Sequence, residues 1–600
     1  MKTAKAHPTA MNADGTDIFS RHWLRWLLLL WLATAAGLIL YRWNQIHWFA
    51  LGDTDDNMRM MQVRALLKGQ DWYDLRQHRL NPPIGADIHW SHLVDLPIAG
   101  LILMFKPFLG GAVAEKIAIA LAPMIPLGVV FVGLGLTVRR LVAPASFIVA
   151  AAIFLCSYSA LLMFMPTRID HHGWQLAMLT LMLAGLADPK QTRGGLTVGI
   201  ATALSLVIGL EMLLYLAIGG AAVGLRWIMD QDQRLRLRAY GASLAVGVAV
   251  GFAGFASYAN RVPRCDALTP VWLSVMILAG GLLVALSFIR AEKASHRLIL
   301  AGLAGALSLA FLAIAWPDCL GRPEQVSPEL EKLWLANISE AKPLYKQNWP
   351  TILSVSVLLI GLGGSFWALW RERISERGAA WASVALLSLL SALMLLWQTR
   401  AAASALMFAV PGATALGWAI IPRLRAHQNM LVRVFGTTAA FMLVSGLWAQ
   451  LVIGQIPNPN VATPRMKLVN KANSTCPTIP ALRPIALLPK ATIFTFVDLG
   501  PRLITMTHHN AIAGPYHRNG DAILDVQHTF RGSADAAHTI IKRHGATMLL
   551  ICPNMSESTI YAAQNPKGFY VQLAKGQVPD WLEPVTLPAR SSYKLWRVKP

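Results

Sequence analysis

Charged residues are scarce in this sequence. They make up 14% of its 600 residues, whereas hydrophobic residues make up 55% and the mean hydropathy is +0.46. A soluble globular chain carries about 25% charged residues, so a soluble multi-domain protein, disorder, coiled coil and collagen are excluded. Cysteine is also rare. Five cysteines, without a Cys-x-x-Cys pair or a zinc-like Cys/His spacing, exclude a disulfide scaffold. The chain is therefore mostly membrane-embedded.

Acidic residues are few relative to basic ones. There are 31 Asp and Glu against 53 Lys and Arg, which gives a formal net charge of +22. In a soluble protein this surplus would suggest a nucleic-acid partner. In a membrane protein, however, Lys and Arg accumulate in cytoplasmic loops. We therefore expect the lipid bilayer as a partner and no nucleic acid.

Apolar stretches long enough to cross a bilayer recur down to about residue 454. The first, after a basic N-terminus, has the length of a spanning anchor rather than of a signal-peptide core. We count thirteen: 23–41, 115–137, 144–164, 173–188, 195–212, 213–228, 239–258, 269–289, 297–316, 350–370, 378–398, 401–421 and 431–453.

The distribution of Lys and Arg between loops predicts the orientation. With the N-terminus inside, the short inner segments carry 20 Lys and Arg and the short outer turns carry four. Because positive loops stay cytoplasmic, segment 1–22 is predicted in the cytoplasm and the C-terminus outside. The transmembrane domain then spans 23–454, with outer loops 42–114 and 317–349.

The polar tail, 455–600, is predicted to form a small α/β C-terminal extracytoplasmic domain. Its stretches 491–497, 547–552 and 593–598 are rich in strand-forming residues and bounded by Pro and Gly. Cys265 and Cys319 lie just outside the membrane in this topology, and Cys476 and Cys552 lie in the tail. An oxidising compartment favours two disulfides here, although four reduced thiols remain an alternative.

The first candidate site begins just after the first helix, in the stretch 52–59. Asp53, Asp55 and Asp56 place three carboxylates within four residues. Such groups repel each other unless a cation lies among them, and Mg²⁺ and Mn²⁺ prefer oxygen ligands. The alternative is an acidic first helical turn behind an N-cap, with Arg59 pairing with Asp55.

Three further clusters fall on the same outer face. Arg168, Asp170, His171 and His172 occupy one short turn, where His and Asp are plausible metal ligands or simply solvated. Glu340 lies in the loop 317–349 and is ordinarily a surface residue. Arg400, at the outer end of a helix, either snorkels or binds a phosphate. Together the four clusters indicate a metal-dependent transferase at the outer membrane surface.

These motifs, in this order, resemble the GT-C glycosyltransferases, and most of all the STT3-type catalytic subunit of oligosaccharyltransferases. That family carries an Asp six residues before an Arg in its first outer loop, as at Asp53 and Arg59. Its fifth outer loop carries a Ser-x-Ser-Glu-like motif before a Pro, which 337–343 match. The family has thirteen transmembrane helices and an outer C-terminal domain. The resemblance covers residues 20–453.

The resemblance implies transfer of a sugar or oligosaccharide from a polyprenyl-phosphate or -diphosphate donor to an extracytoplasmic acceptor. It implies one divalent metal, Mn²⁺ or Mg²⁺. His172 replaces the family's second acid, which weakens a preference for Mg²⁺. By position, the implied roles are these: catalytic, Asp53 and Glu340; metal-binding, Asp53, Asp170, His172 and Glu340; donor phosphate-binding, Arg400; supporting, Asp55, Asp56, Arg59, His171 and Arg168.

One departure concerns the acceptor. The family's Trp-Trp-Asp-Tyr-Gly motif, which reads the sequon hydroxyl of an acceptor peptide, is missing; the tail instead carries a His- and Asn-rich stretch, 507–519. The acceptor is therefore a protein site, a lipid or a polysaccharide. Glu211 lies in an apolar run and is expected to line the lipid path.

Two other functions remain open: a transporter or flippase of lipid-linked sugars, and an inactive assembly factor with the same fold. The expected location is the bacterial inner (plasma) membrane, with the C-terminus in the periplasm.

Overall fold

The computed structural model describes residues 14–455 and 463–599. The first of these parts is almost entirely helical. Two short strands in its outer loop, β1 (Arg76–Gln77) and β2 (Ala86–Asp87), pair antiparallel. The helices are α1 (Asp14–Arg21), α2 (Trp23–Tyr41), α3 (Trp43–His47), α4 (Thr54–Leu67), α5 (Asp95–Leu109), α6 (Gly111–Leu121), α7 (Met124–Leu141), α8 (Phe147–Cys156), α9 (Tyr158–Leu161), α10 (His172–Leu186), α11 (Gln191–Ile208), α12 (Leu213–Met229), α13 (Arg234–Phe255), α14 (Pro270–Leu286), α15 (Ala294–Ala315), α16 (Pro328–Leu333), α17 (Trp349–Ser354), α18 (Val357–Glu372), α19 (Gly378–Leu395), α20 (Ala402–Arg425), α21 (Thr437–Ser445) and α22 (Leu447–Gln455).

The predicted polytopic membrane character is confirmed. Among the described residues, seven helical segments are long and apolar enough to cross a membrane, or nine if each of two bent helix pairs is one span. The bent pairs are 147–164 and 432–455, with bends of 87° and 89°. Each of the thirteen predicted stretches overlaps a helix, but α10, α11, α12 and α14 are shorter or less apolar than a spanning helix. The count of thirteen therefore stays a prediction.

Small residues set the helix packing. A Cβ on Gly412 of α20 would lie 1.9 Å from the Gly361 carbonyl oxygen of α18, and a Cβ on Gly199 of α11 would lie 2.0 Å from Ser243 Oγ of α13. Only glycine permits these approaches. Close backbone contact at small residues is how membrane helices associate, since lipid supplies no hydrophobic driving force between them.

Residues 463–599 form a mixed five-stranded sheet packed with helices. The strand order is β4-β3-β5-β7-β6; β3 pairs in parallel with β4 and β5, whereas β7 is antiparallel to β5 and β6. β3, β5 and β7 lie within the three stretches predicted as strands. The elements are α23 (Pro464–Thr475), α24 (Ile479–Ala486), β3 (Thr492–Phe494), α25 (Gly500–Met506), β4 (Asn510–Ala511), α26 (Gly520–Arg531), α27 (Ala534–Arg543), β5 (Met548–Ile551), α28 (Ser556–Gln564), α29 (Phe569–Ala574), β6 (Leu582–Pro584) and β7 (Lys594–Val598).

Both predicted disulfides are present. Cys265 bonds to Cys319 and Cys476 bonds to Cys552, with Cα–Cα distances of 5.2 and 6.5 Å. The fifth cysteine, Cys156, is free. The first bond joins the turn after α13 to the loop 317–349, and the second joins the end of α23 to the end of β5.

The sheet part packs directly on the first outer loop. Arg502 of α25 donates to the Phe49 carbonyl at 3.0 Å and to Asn57 Oδ1 at 3.2 Å, and Tyr516 donates its hydroxyl to the Thr54 carbonyl at 2.9 Å. These bonds hold the sheet part against the start of α4, where the first acidic cluster lies.

Candidate active site

Asp53 is the N-cap of α4. Its Oδ1 accepts from the backbone N–H groups of Asp55 and Asp56 at 2.9 and 3.2 Å, and Asp56 Oδ2 accepts from the Asp53 N–H at 3.0 Å. This reciprocal capping box fixes two carboxylates at the positive end of the helix. The N-cap alternative for this stretch is therefore correct locally, and it does not exclude a role in binding a cation.

Asp56 also joins α4 to the second cluster. Its carboxylate is fully buried, and Oδ1 accepts from the backbone N–H groups of Ile169 and Asp170 at 2.6 and 3.0 Å. Two sequence motifs more than 100 residues apart are thereby held together by one side chain. Gly52 makes room for this contact, because a Cβ there would lie 2.6 Å from both Asp56 Oδ2 and Arg168 Cδ.

Arg168 lies among the carboxylates. Its guanidinium pairs with Asp53, with Asp56 Oδ2 at 3.3 Å and with Asp170 Oδ2 at 2.5 Å. Ligand oxygens of the three acids lie within 4.8 Å of one another, a spacing that can hold a metal ion. When all three acids are ionised, three carboxylates against one guanidinium leave an excess of two negative charges, which a divalent cation would offset.

The hydrogen bonds show which oxygens are available to a metal. A carboxylate offers about four lone-pair sites. Asp56 already accepts four contacts, from Asp53, Arg168, Ile169 and Asp170, so it is saturated. Asp53 accepts three and Asp170 accepts two, from Arg168 and the His172 N–H. Asp53 and Asp170 therefore fit as oxygen ligands of Mg²⁺ or Mn²⁺, whereas Asp56 positions them.

The neighbouring charges perturb the acids in opposite directions. Burial, followed by the charge of Asp53, raises the pKa of Asp55 to about 8. Burial opposes ionisation of Asp170 as well, but Arg168 and His172 outweigh it and lower the pKa of that carboxyl. Burial also raises the pKa of Asp56 well above its ordinary value, with the charge of Arg168 opposing it. The surroundings therefore favour the anionic form of Asp170 and the protonated form of Asp55 and Asp56.

Glu211 lies next to the two histidines of the turn, in a break between α11 and α12. His171 Nε2 is 2.9 Å from Glu211 Oε1, and Gln175 Nε2 donates to Glu211 Oε2. His172 itself is not one of the side chains whose ligand atoms cluster within 4.8 Å. The sequence singled out Glu211 as lining a lipid path, but its described contacts are with this polar network.

Glu340 and Arg400 are not brought to the acidic cluster. They pair with each other at 3.3 Å, and their side chains are 64% and 41% exposed. Glu340 is in a short 3-10 turn, Ser339–Ala341, and Arg400 is in another, Thr399–Ala401, directly before α20. Among the described residues, the carboxylates that approach within ligand distance are therefore Asp53, Asp56 and Asp170, without Glu340.

Arg59 does not pair with the clustered acids Asp53, Asp56 and Asp170. It is fully buried, pairs with Asp95 at 2.9 Å, donates to the Ser91 carbonyl at 3.2 Å and lies over the Trp90 ring at 4.7 Å. The expected pairing with Asp55 is not formed. Arg59 instead stabilises the outer loop beneath the site.

A second group of metal-type ligands is formed by His89, Asp266 and His517. Asp266 is engaged by Arg518 at 2.7 Å through both oxygens and by His517 at 2.6 Å. Burial, and next the charges of His517 and Arg518, hold the pKa of His89 well below its ordinary value. Because Arg518 already neutralises Asp266, we interpret this cluster as an ion-paired contact that joins the sheet part to the turn after α13. Much of the 507–519 stretch is thus engaged in internal contacts.

Asp498 is a residue that the sequence motifs missed. It follows β3 and is exposed, while its N–H and that of Val497 donate at 2.8 Å to the buried carboxylate of Glu557. Parallel strands place ligands beyond their carboxyl ends, and burial, followed by the charges of Asp55, Asp53 and Asp498, raises the pKa of Tyr516 well above its ordinary value. The sequence signal is in 496–500, where an Asp and, two residues later, a Gly follow a stretch of strand-forming residues.

No protein-family model and no curated protein matches this sequence. Solved structures do. The oligosaccharyltransferase AglB from Archaeoglobus fulgidus, in complex with an inhibitory peptide and a dolichol-phosphate, matches at TM-score 0.67 and 13% identity over 94% of this chain and 73% of that one. The same organism's enzyme tethered to an acceptor peptide containing the NVT sequon matches at TM-score 0.63, 13% identity, over 89% and 69%. Its complex with Zn and sulfate matches at 0.59, 13% identity, over 88% and 67%.

At this identity the likeness concerns the fold. The chain has the fold of these oligosaccharyltransferases, and the resemblance indicated by the sequence motifs is confirmed at that level.

Proposed function

We propose that this protein is a membrane glycosyltransferase that transfers a sugar or oligosaccharide from a polyprenyl-phosphate or -diphosphate donor to an acceptor outside the cytoplasm. The observation that carries the proposal is the cluster of Asp53, Asp56, Asp170 and Arg168, built on the outer loop of an oligosaccharyltransferase fold. The neighbour that binds a dolichol-phosphate and an inhibitory peptide supports a lipid-linked donor and a peptide acceptor.

The cluster fits a divalent metal, Mn²⁺ or Mg²⁺, held by Asp53 and Asp170. His172, next to Asp170 in the chain, would be a third ligand, and Glu340 would join only after its ion pair with Arg400 opens. When bound, the metal supplies Lewis-acid stabilisation of charge on the leaving phosphate. Asp56 keeps the turn 168–172 against α4. Asp53 orients the acceptor nucleophile and accepts its proton. Arg400, released from Glu340, pairs with the donor phosphate in a charge-assisted contact.

We propose that the acceptor binds between α4 and the carboxyl end of β3. Tyr516 donates its hydroxyl to the Thr54 carbonyl, and burial, followed by the charges of Asp55, Asp53 and Asp498, raises its pKa well above the ordinary value. In the spacing of the family's Trp-Trp-Asp-Tyr-Gly motif, Asp498 and Gly500 match the Asp and Gly, whereas Val497 and Leu499, both buried, stand in place of a Trp and the Tyr. We therefore propose an acceptor hydroxyl or amide near Asp498, without requiring an Asn-x-Ser/Thr sequon.

We propose that the site faces the periplasm of a bacterial inner membrane, because the distribution of Lys and Arg between loops predicts that it lies on the outer face. A flippase of lipid-linked sugars is the alternative. Loss of either activity makes a lipid-linked saccharide accumulate, but on opposite leaflets: outside without the transferase and inside without the flippase.

The test is mass spectrometry of lipid extracts from cells carrying the wild type, Asp53→Asn, Asp170→Asn or the control Asp71→Asn. Asp71 is an exposed acid in the same loop. Intact spheroplasts are first treated with an impermeant periodate reagent, which oxidises outer-leaflet saccharides only. We expect an accumulated, periodate-sensitive polyprenyl saccharide in the first two variants and not in the control. An accumulated species protected from periodate would instead establish the flippase, and an unchanged lipid pool in both variants would remove the proposal.

A further inference from the structure

Glu211 lies between two apolar helices, α11 and α12, and its side chain is held by two contacts. Oε1 is 2.9 Å from His171 Nε2, and Oε2 accepts from Gln175 Nε2. His171 is 2% exposed and Gln175 is fully buried. Glu211 itself is partly exposed, with its side chain at 26%, and the two contacts tie it to these buried partners.

Gly209 adapts the backbone to this carboxylate. A Cβ at that position would lie 2.3 Å from Glu211 Oε2 and 2.9 Å from Gln175 Nε2. Its φ is extended, so any residue fits the backbone and the restriction comes from the space alone. The break between α11 and α12 is thus shaped around the Glu211–Gln175 contact.

The contact continues to His172. Gln175 gives its Nε2 to Glu211, so its Oε1 is turned toward His172 Nδ1, at 3.4 Å. Within the part of the chain that the structure describes, His172 Nε2 has no hydrogen-bond partner. A histidine whose Nδ1 is held by an acceptor presents Nε2 as its ligating atom, and such outer contacts fix the orientation of metal-bound histidines.

We propose that Glu211 is a positioning residue: through Gln175 it orients His172 toward the cation held by Asp53 and Asp170, and through His171 it fixes the turn that carries Asp170. This inference rests on the proposed function. His172 occupies a position where the resembling family has an acid. In this arrangement the carboxylate of Glu211, from the break between α11 and α12, holds that histidine in place through Gln175.

The test is Mn²⁺ binding to the full chain in lipid nanodiscs, by calorimetry and by electron spin-echo spectroscopy, which detects a coordinating ¹⁴N nucleus. Glu211→Gln removes the negative charge and leaves one acceptor oxygen where the carboxylate uses two, one for His171 and one for Gln175. Gly209→Ala displaces the carboxylate without removing its charge. The matched control is Glu329→Gln, which removes another outer Glu–His pair, Glu329–His528 at 2.7 Å.

We expect a ¹⁴N coupling in the wild type that His172→Ala abolishes. Glu211→Gln and Gly209→Ala are expected to lose this coupling and to weaken Mn²⁺ binding about 10- to 100-fold, with Glu329→Gln unchanged. A coupling that persists in Glu211→Gln overturns the proposal. Loss in Glu211→Gln with full retention in Gly209→Ala also overturns it, because charge alone would then act.

Mn²⁺ binding without any ¹⁴N coupling refutes the role of His172 and Glu211 while leaving the metal-assisted transferase intact. If the wild type binds no Mn²⁺ and the periodate experiment shows no outer-leaflet donor, the proposed function fails instead.

Discussion

Removing the Asp56 carboxylate is expected to release the turn 168–172 from α4. Asp56 is buried and accepts hydrogen bonds from the backbone of Ile169 at 2.6 Å and of Asp170 at 3.0 Å. Leaving a buried donor without its partner costs about 1–3 kcal/mol, so Asp56→Ala, which leaves two such donors, costs this turn about 2–6 kcal/mol. Each 1.4 kcal/mol is a factor of ten, so local opening should become about 30- to 10⁴-fold more frequent.

Hydrogen exchange of the full chain in nanodiscs measures that opening directly. The Ile169 and Asp170 amides should exchange at least about 30-fold faster in Asp56→Ala, since exchange in this regime reports the local opening equilibrium. The sheet-part helix α26 is the internal reference. Asp55→Ala is the matched control, because it removes the adjacent carboxyl group but has no hydrogen bond to the turn.

Equal exchange rates in the two variants would refute the reasoning. So would faster exchange spread evenly over α26, because the effect of Asp56 would then be global destabilisation. A protected turn in Asp56→Ala would mean that Arg168 and Asp170 hold it without the carboxylate of α4.

Three further predictions concern the sheet part and its attachment. Replacing both Cys476 and Cys552 by Ser opens a loop of 76 residues, which should cost about 4 kcal/mol by loop entropy and lower the thermal midpoint; an unchanged midpoint would contradict this. Asp266→Asn leaves the buried guanidinium of Arg518 without its bidentate partner, and we expect about 3–5 kcal/mol of local stability to be lost, seen as faster amide exchange over 517–519. Burial, and next the charge of Asp498, raise the pKa of Glu557 to about 8. Because the folded state then keeps a proton that the unfolded chain gives up, the free energy of unfolding should fall as the pH rises through about 8. Glu557→Gln should flatten this pH dependence of the thermal midpoint.

The sequence indicated the membrane class and the residues of the first two acidic motifs. Scarce charge and long apolar stretches are properties of composition, and bilayer thickness converts them into helices without tertiary information. The residues of the acidic motifs could also be identified without tertiary information, because carboxylates that are close in the chain repel each other in any fold. They are Asp53, Asp55, Asp56, Arg168 and Asp170.

The number of spans was harder to predict. The pairs 147–164 and 432–455 are continuous in hydropathy but bent by nearly a right angle, and a hydropathy pattern carries no information on bends. The three stretches of the sheet part that contain β3, β5 and β7 were readable from β-branched residues between Pro and Gly. Their parallel and antiparallel pairing was not, because pairing depends on contacts between distant segments.

The sequence by itself determined which residue types are available for the site: an acidic stretch at 53–56, an Arg–Asp–His–His turn at 168–172 and four cysteines outside the apolar stretches. Only the tertiary structure decided their roles. It saturated Asp56 with four donors and left Asp53 and Asp170 open, turned Arg59 toward Asp95, and paired Glu340 with Arg400. It also brought Glu211 beside the histidines. The physical reason is that a carboxylate's role depends on which donors fill its lone pairs, and those donors come from segments that only folding brings together.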